Sequence, residues 1–383
     1  MCEVELFSKM RVFSVMFLAV FSSVRGQGTL PNGDPYFCVP PGICPDTGGI
    51  DPRIITPDDI MGDSEDGNLQ QLIDEVFFNK ILTDGTPTPG PCPTGTVQCF
   101  AQGTMSNCGL RLVPPATINA NDGNASIGAY PWQAYLEGPT GYLGSGSLLS
   151  PYHVLTASHK VLAFQATPRY PNPPYTPANL NVIMGVNNPE TRNAMPLTPR
   201  STAAQIFIYM DATFDNSTLK NDIAIIRLKD PIRLVGQPSI NTICLPPATA
   251  TGATYASPQS CVVSGWGQRQ PDNNAVPTQL KQVRVNTTDM KTCEEGFAGR
   301  VNTAVYLDKT GELCAGGQAQ KDACFQDGGA PLTCGAGTAA SRFTVAGIVI
   351  WGKSCGIPGV YGVYTNVPVY RQWIIQTITA KIS

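Results

Sequence analysis

The chain has 383 residues, 42% hydrophobic and only 14% charged, with a formal net charge of −3 and 13 cysteines. That length leaves room for two domains and a large core. The near-neutral, slightly acidic balance makes no electrostatic case for nucleic acid or an anionic membrane. Scarce charge fits a β-rich extracellular protein better than a helical cytosolic one.

Residues 1–26 read as a signal peptide. Lys9 and Arg11 precede an apolar run from Val12 to Phe21 and then small residues, with the cut expected near Gly26. Glu3 and Glu5 suit such a leader poorly, which makes Met10 an alternative start. The run is too short to span a membrane, and no later stretch reaches about 18 apolar residues. A secreted, extracellular protein is therefore expected. Loss of Cys2 with the leader leaves an even set of cysteines for an oxidising compartment. Asn124, Asn216 and Asn286 each open an Asn-x-Ser/Thr sequon and are candidate N-glycosylation sites.

Residues 27–100 are rich in Pro, Gly and Asp and hold Cys38, Cys44, Cys92 and Cys99. Residues 45–67 form an acidic loop in which Arg53 is the sole base, followed by Ile54 and Ile55. Arg53 is either a site cut by a trypsin-like enzyme or only a solvated charge. Leu69, Leu72, Ile73, Val76, Phe77 and Ile81 recur at helical spacing and stop before Asp84-Gly85. Cys38-Val-Pro-Pro-Gly-Ile-Cys44 and Cys92 to Cys99 resemble the ends of the arthropod clip domain. That family usually has six cysteines, and Tyr36 and Phe100 stand where two of them belong. The four present allow two bridges of undetermined pairing, and a generic disulfide-tied spacer remains the alternative. Residues 101–117 read as a linker.

From Ile127 onward, short β-type runs alternate with Gly, Pro and Asn, the pattern of an all-β barrel protein. The stretch from Lys321 to Leu332 resembles the nucleophile loop of chymotrypsin-fold serine proteases, with Cys324, Asp327, Gly329, Pro331 and Leu332 in register. Leu155-Thr-Ala-Ser-His159 resembles the segment carrying the general-base histidine. Asn221-Asp222-Ile-Ala resembles the one carrying the orienting carboxylate. Tyr130 to Leu136 resembles the first strand of that fold, and Val360 to Ile382 its closing strand and terminal helix. The resemblance implies a chymotrypsin-like double antiparallel β-barrel with a C-terminal helix over residues 118–383.

The same alignment marks departures. Gly328 stands where the family has its nucleophilic serine, and glycine offers no atom that can attack a carbonyl. Gln326 replaces the glycine whose N–H forms half of the oxyanion hole, and a side chain disfavours the positive φ that glycine permits. Ile350, before Trp351, replaces a serine that donates to the triad carboxylate. Asp322 occupies the specificity position for Arg or Lys side chains, and Gly352 and Gly362 match glycines that keep such a pocket open. The resemblance implies the bridges Cys108–Cys244, Cys261–Cys334, Cys293–Cys314 and Cys324–Cys355. It also implies loss of the histidine-loop bridge, whose two places hold Gly144 and Lys160. Where the family cuts to free an Ile-Val-Gly-Gly terminus, this chain has Thr117 before Ile118-Asn-Ala-Asn. Asp327 is therefore expected to lack its amine partner, and the loop to stay open and zymogen-like.

The whole pattern resembles the clip-domain serine protease homologues of arthropods. That resemblance implies a non-enzymatic protein of haemolymph with no metal or cofactor. Its implied partners are prophenoloxidase and activating clip proteases, with assembly after cleavage. Microbial-surface recognition or cell adhesion is the alternative. An active endopeptidase would have only Ser158 or Ser354 to recruit.

Overall fold

A computed structural model describes residues 26–29, 35–39, 97–100, 108–167, 171–189, 199–209, 218–234, 237–269, 278–298, 306–335 and 342–379. The expected signal peptide, the Arg53 site, the helix near residues 69–81 and Asn216 lie outside them. The chain divides into two compact units, Met1–Ser106 with Lys381–Ser383, and Asn107–Ala380. In the first unit, strands β1 (Gly26–Thr29), β2 (Pro35–Val39) and β3 (Val97–Phe100) form one antiparallel sheet in that order.

The second unit contains two closed six-stranded antiparallel barrels. The first closes in the order β10-β7-β6-β5-β8-β9. Its strands are β5 (Gln133–Gly138), β6 (Gly141–Ser150), β7 (His153–Thr156), β8 (Asn181–Met184), β9 (Arg200–Ile208) and β10 (Ala224–Leu228). The second contains β11 (Ser260–Gly265), β12 (Lys281–Thr288), β13 (Glu312–Gly316), β14 (Pro331–Cys334), β15 (Thr344–Trp351) and β16 (Tyr361–Asn366). It closes through the pairing of β11 with β12, and the short β4 (Gly123–Asn124) adds to the free side of β12. Alternating burial along β9 and β12 is the period of two that a sheet with one inner face imposes.

Each barrel has its own apolar interior. Leu136, Val154, Val182 and Ile226 fill the first; Val263, Leu313, Leu332 and Tyr364 fill the second. A third cluster, with Trp132, Tyr135, Trp266 and Ile348, joins the two barrels. There the Tyr135 and Trp266 rings meet edge-on at 5.2 Å. Closing both sheets removes their edges, and the shared cluster fixes the seam between them.

Among the described residues three α-helices complete the unit, beside three one-turn 3-10 segments. The one-turn α1 (Ser158–Val161) follows β7 directly. α2 (Met290–Ala298) begins after Asp289, whose carboxylate accepts hydrogen bonds from the Thr292 N–H and hydroxyl at 2.9 and 2.7 Å. α3 (Val367–Thr379) tolerates Pro368 because the first turn has no intrahelical use for its N–H. Disulfides join Cys108 to Cys244, Cys261 to Cys334, Cys293 to Cys314, and Cys324 to Cys355. Among the described residues no helix is long and apolar enough to cross a membrane. Asn124 and Asn286 are both exposed.

Candidate functional site

The candidate site forms where three segments converge at the seam: α1 after β7, the approach to β10, and the loop before β14. On α1, His159 Nδ1 lies 2.5 Å from Asp222 Oδ2, and the His159 backbone N–H donates to Asp222 Oδ1 at 2.8 Å. Asp222 is fully buried while the imidazole keeps 21% of its side-chain surface. One face of His159 thus meets a fixed carboxylate and the other opens to the cleft.

Asp222 is held from several sides. Asn221 precedes it at φ 59°, a left-handed conformation asparagine tolerates, and Tyr370 on α3 donates its hydroxyl to Asn221 Oδ1 at 2.7 Å. The Thr365 hydroxyl donates to the Asp222 carbonyl at 2.7 Å. Ile350 offers the carboxylate no donor and instead packs into the inter-barrel core.

The loop bearing Gly328 is closed rather than open. Asp327 is buried; its Oδ1 accepts from the Gly267 N–H at 2.7 Å and its Oδ2 from the Cys324 N–H at 3.0 Å. Lys281 Nζ lies 3.6 Å from Asp327 Oδ2 and donates to the Gln268 carbonyl at 2.7 Å. Two expectations are corrected here. Asp327 does have a cation, supplied from within the chain by β12 instead of by a freed terminus, and with its charge matched the loop has no reason to stay open. Burial lowers the Lys281 pKa, with Asp327 pulling it back up.

The Ile118 stretch lies against β12 and is tied to it. Gln282 Nε2 donates to the Asn119 carbonyl at 2.9 Å, and the Arg284 backbone N–H donates to Asp122 at 2.9 Å. Upstream, Arg111 stacks over the Phe343 ring at 4.7 Å and donates to the Ala129 carbonyl at 2.7 Å, which holds it against the unit.

A third correction concerns Gln326. It adopts φ 72°, the region its side chain disfavours, because the neighbouring main chain over-determines it. The Asp327 N–H donates to the Cys324 carbonyl at 3.0 Å, the Gln268 N–H to the Phe325 carbonyl at 2.7 Å, and the Tyr142 hydroxyl to the Gln326 carbonyl at 3.2 Å. As a result the N–H groups of Gln326 and Gly328 donate to nothing among the described residues. Gly329, at φ 82°, faces the Ser145 carbonyl so closely that no side chain fits.

The place of the missing side chain is filled from the other barrel. A Cβ added at Gly328 would lie 2.9 Å from His159 Nε2 and 3.0 Å from Lys160 Nζ, and would collide with Lys160 Cε. The Lys160 stem runs past Gly144, where a Cβ would sit 3.1 Å from its Cδ and 2.7 Å from the Gly328 carbonyl. The two positions of the absent histidine-loop bridge therefore act together, the glycine making the channel and the lysine filling it. Burial lowers the Lys160 pKa, opposed by Asp222 and Asp327. Sequence reasoning noted Lys160 only as a lost cysteine and missed Lys281 altogether. The paired loss at Gly144 and Lys160 was the available signal, since one small and one long replacement are complementary in volume.

Asp322 lies after β13. Its Oδ2 accepts from the Gly356 N–H at 3.1 Å, while its Oδ1 is buried with no hydrogen-bond partner. A Cβ at Gly362 would crowd that Oδ1 at 2.8 Å and the Tyr364 hydroxyl at 3.1 Å, so only glycine fits beside the carboxylate there, whereas one at Gly352 would meet nothing closer than 3.4 Å. Burial pushes the Asp322 pKa up to about 7, against the Gly356 hydrogen bond. Ser158 is no substitute nucleophile, being fully buried with its hydroxyl donated to the Ile223 carbonyl at 2.7 Å. Ser354 sits at φ 66°, outside the cluster formed by His159, Lys160 and Gly328.

The trypsin family model matches residues 121–374. The chain belongs to the trypsin family. It is 33% identical over 352 residues to an inactive CLIP domain-containing serine protease A3 of Aedes aegypti, covering 89% of this chain and 66% of that one. It is 28% identical over 310 residues to phenoloxidase-activating factor 2 of Galleria mellonella, covering 77% and 94%. Complement C1s subcomponent of Rattus norvegicus is 30% identical over 310 residues, covering 74% of this chain but 41% of its own length. The chain thus spans just under two thirds of the Aedes relative and less than half of the rat one. Within the trypsin family, it is similar to insect clip-domain protease homologues.

Proposed function

We propose that this chain is a secreted, non-catalytic trypsin-family protein that acts by binding other proteins, as an innate-immune cofactor in the prophenoloxidase cascade. The observation that carries the reading is Gly328 beside an ordered His159–Asp222 pair: the base and its orienting carboxylate have no hydroxyl to activate. Removing the nucleophile of such a triad costs on the order of a millionfold in turnover. The names of the Aedes and Galleria relatives support the absence of catalysis and the immune setting.

In this reading residues 1–26 are a removed signal peptide, residues 27–100 a clip-like domain, residues 101–117 a linker, and the protease-like domain extends from residue 118. Cleavage after Arg53 releases the clip-like region for assembly, and Asn124, Asn216 and Asn286 carry glycans. The test combines two assays. Purified protein, intact and cleaved, is incubated with Arg, Phe and Ala esters and an irreversible serine-directed probe; no hydrolysis and no labelling are expected. The protein is then added to prophenoloxidase and its activating protease, and phenoloxidase activity should rise with dose. Ester turnover abolished by His159→Ala would overturn the non-catalytic reading. An unchanged phenoloxidase yield, with capture of the protein on whole microbes, would replace the cofactor role by surface recognition.

A further inference from the structure

Between Lys80 and Lys160 the chain carries a single basic residue, Arg111. An enzyme that cuts after arginine or lysine therefore has one bond to attack in that whole stretch, the bond to Leu112. Leu112 is 43% exposed, so the far side of the bond lies at the surface. The arginine side chain is instead held against the unit. Its guanidinium carbon lies 5.1 Å from the centre of the Tyr130 ring and 4.7 Å from that of Phe343, and its Nε–H donates to the Ala129 carbonyl at 2.7 Å. Both rings are buried and both meet the fully buried Trp132, at 6.2 and 5.5 Å.

The main chain before the bond is pinned as well. Cys108 is bridged to Cys244, and the Gly109 N–H donates to the Thr242 carbonyl at 2.8 Å. The Phe343 N–H donates to the Gly109 carbonyl at 3.0 Å, and Asn241 Nδ2 to the Leu110 carbonyl at 2.9 Å. An arginine-directed protease must draw the side chain into its own pocket and hold the residues on either side in an extended line. Drawing Arg111 out breaks a hydrogen bond and two cation–π contacts, so cutting waits on local opening of the segment.

We propose that the Tyr130 and Phe343 rings form a protective latch for Arg111, which keeps the one arginine-directed bond between Lys80 and Lys160 out of reach of trypsin-like enzymes. Thr117 already denies such enzymes the junction before Ile118, and the latch closes the nearest alternative. A protein built this way meets arginine-cutting enzymes and keeps the stretch after Arg111 in place. In that stretch Asp122 accepts from the Arg284 backbone N–H at 2.9 Å and pairs with Lys321 Nζ at 3.0 Å. The proposal concerns Arg111 alone and stands whether or not Arg53 is cut.

The test is a timed digest of the full-length native protein with trypsin, quenched, reduced to part the pieces that Cys108–Cys244 joins, and read by mass spectrometry for chains beginning at Leu112. A synthetic peptide of residues 109–116, cut at the same arginine, gives the unprotected rate. The protein is expected to be cut there at least roughly a hundredfold more slowly than the peptide. The exchange Arg111→Leu/Leu112→Arg keeps the composition and moves the arginine to the exposed position; it should be cut between positions 112 and 113 at a rate near the peptide's. Phe343→Leu keeps an apolar side chain without the ring and should speed cutting after Arg111 by roughly three- to thirtyfold. Cutting of the unaltered protein at the peptide's rate overturns the proposal without any variant having to fold. Resistance of the exchange variant overturns it too, because protection would then reside in the backbone alone, as does an unchanged rate in a Phe343→Leu protein with native circular dichroism. Chains beginning at Ile54 in the same digest report on Arg53 separately.

Discussion

Restoring the serine alone should not restore a protease, and the reason is local. In Gly328→Ser the new side chain enters space held by the end of Lys160. Those colliding atoms belong to a flexible side chain, so the overpacking cost lies at the low end, about 1 kcal/mol, or roughly 2–4 °C in Tm for a domain of this size. The catalytic penalty is larger. His159 Nε2 and Lys160 Nζ both lie within 3.0 Å of the point a Gly328 Cβ would take, which places them no more than about 6 Å apart. Protonating the imidazole beside the ammonium then costs about 3 kcal/mol at an effective dielectric constant near 20. Solvent at the open side screens part of this, leaving a ten- to hundredfold penalty on proton transfer. Arg-ester hydrolysis and labelling by a serine-directed probe should stay near background in Gly328→Ser. They should rise at least tenfold above it in Gly328→Ser/Lys160→Ala, and the Tm loss should shrink. Protease-like turnover from the single change, or no gain from removing Lys160, would refute the assignment of Lys160 as the blocking group.

Lys281→Met should leave the Asp327 carboxylate buried without a counter-charge, costing roughly 3 kcal/mol and lowering Tm by on the order of 10 °C; an unchanged Tm would show that the two loop N–H donors suffice. Glu312 is buried, and desolvation raises its pKa to about 7 despite hydrogen bonds from the Asp308 N–H and Trp351 Nε1. A carboxyl whose folded pKa lies above its unfolded one binds more protons when folded, so its stabilisation is complete below about pH 4.5 and is lost as pH rises through 7. Glu312→Gln should therefore raise stability at pH 8 by up to roughly 3 kcal/mol and change little at pH 5; equal effects at both pH values would contradict this. N-terminal sequencing of the circulating protein after immune challenge should find chains beginning at Ile54, and full cofactor activity in Arg53→Ala would rule out a role for that cut.

Much of the molecule was legible in the amino-acid order because it depends on short, contiguous runs. The strand bearing Asp222, the His159 segment and the Gly328 loop each lie within a few residues, so the double barrel and the meeting of His159, Asp222 and Gly328 at its seam could be read from Asn221-Asp222, Ala157-Ser158-His159 and Asp327-Gly328. What the sequence could not reveal depends on residues far apart in it. Thr117 before Ile118 departs from the junction the family cuts, but nothing in that stretch tells that Lys281, more than 150 positions later, supplies the charge Asp327 needs. Gln326 looks incompatible with a left-handed turn until the hydrogen bonds made through Gln268 and Tyr142 are seen to impose one. Lys160 looks like the loss of a cysteine until the opening left by Gly144 carries its ammonium to the edge of Gly328. Local propensity and motif spacing are properties of the chain, whereas the pairing of a buried charge and the filling of a vacated volume are properties of surfaces that meet only after the two barrels have packed.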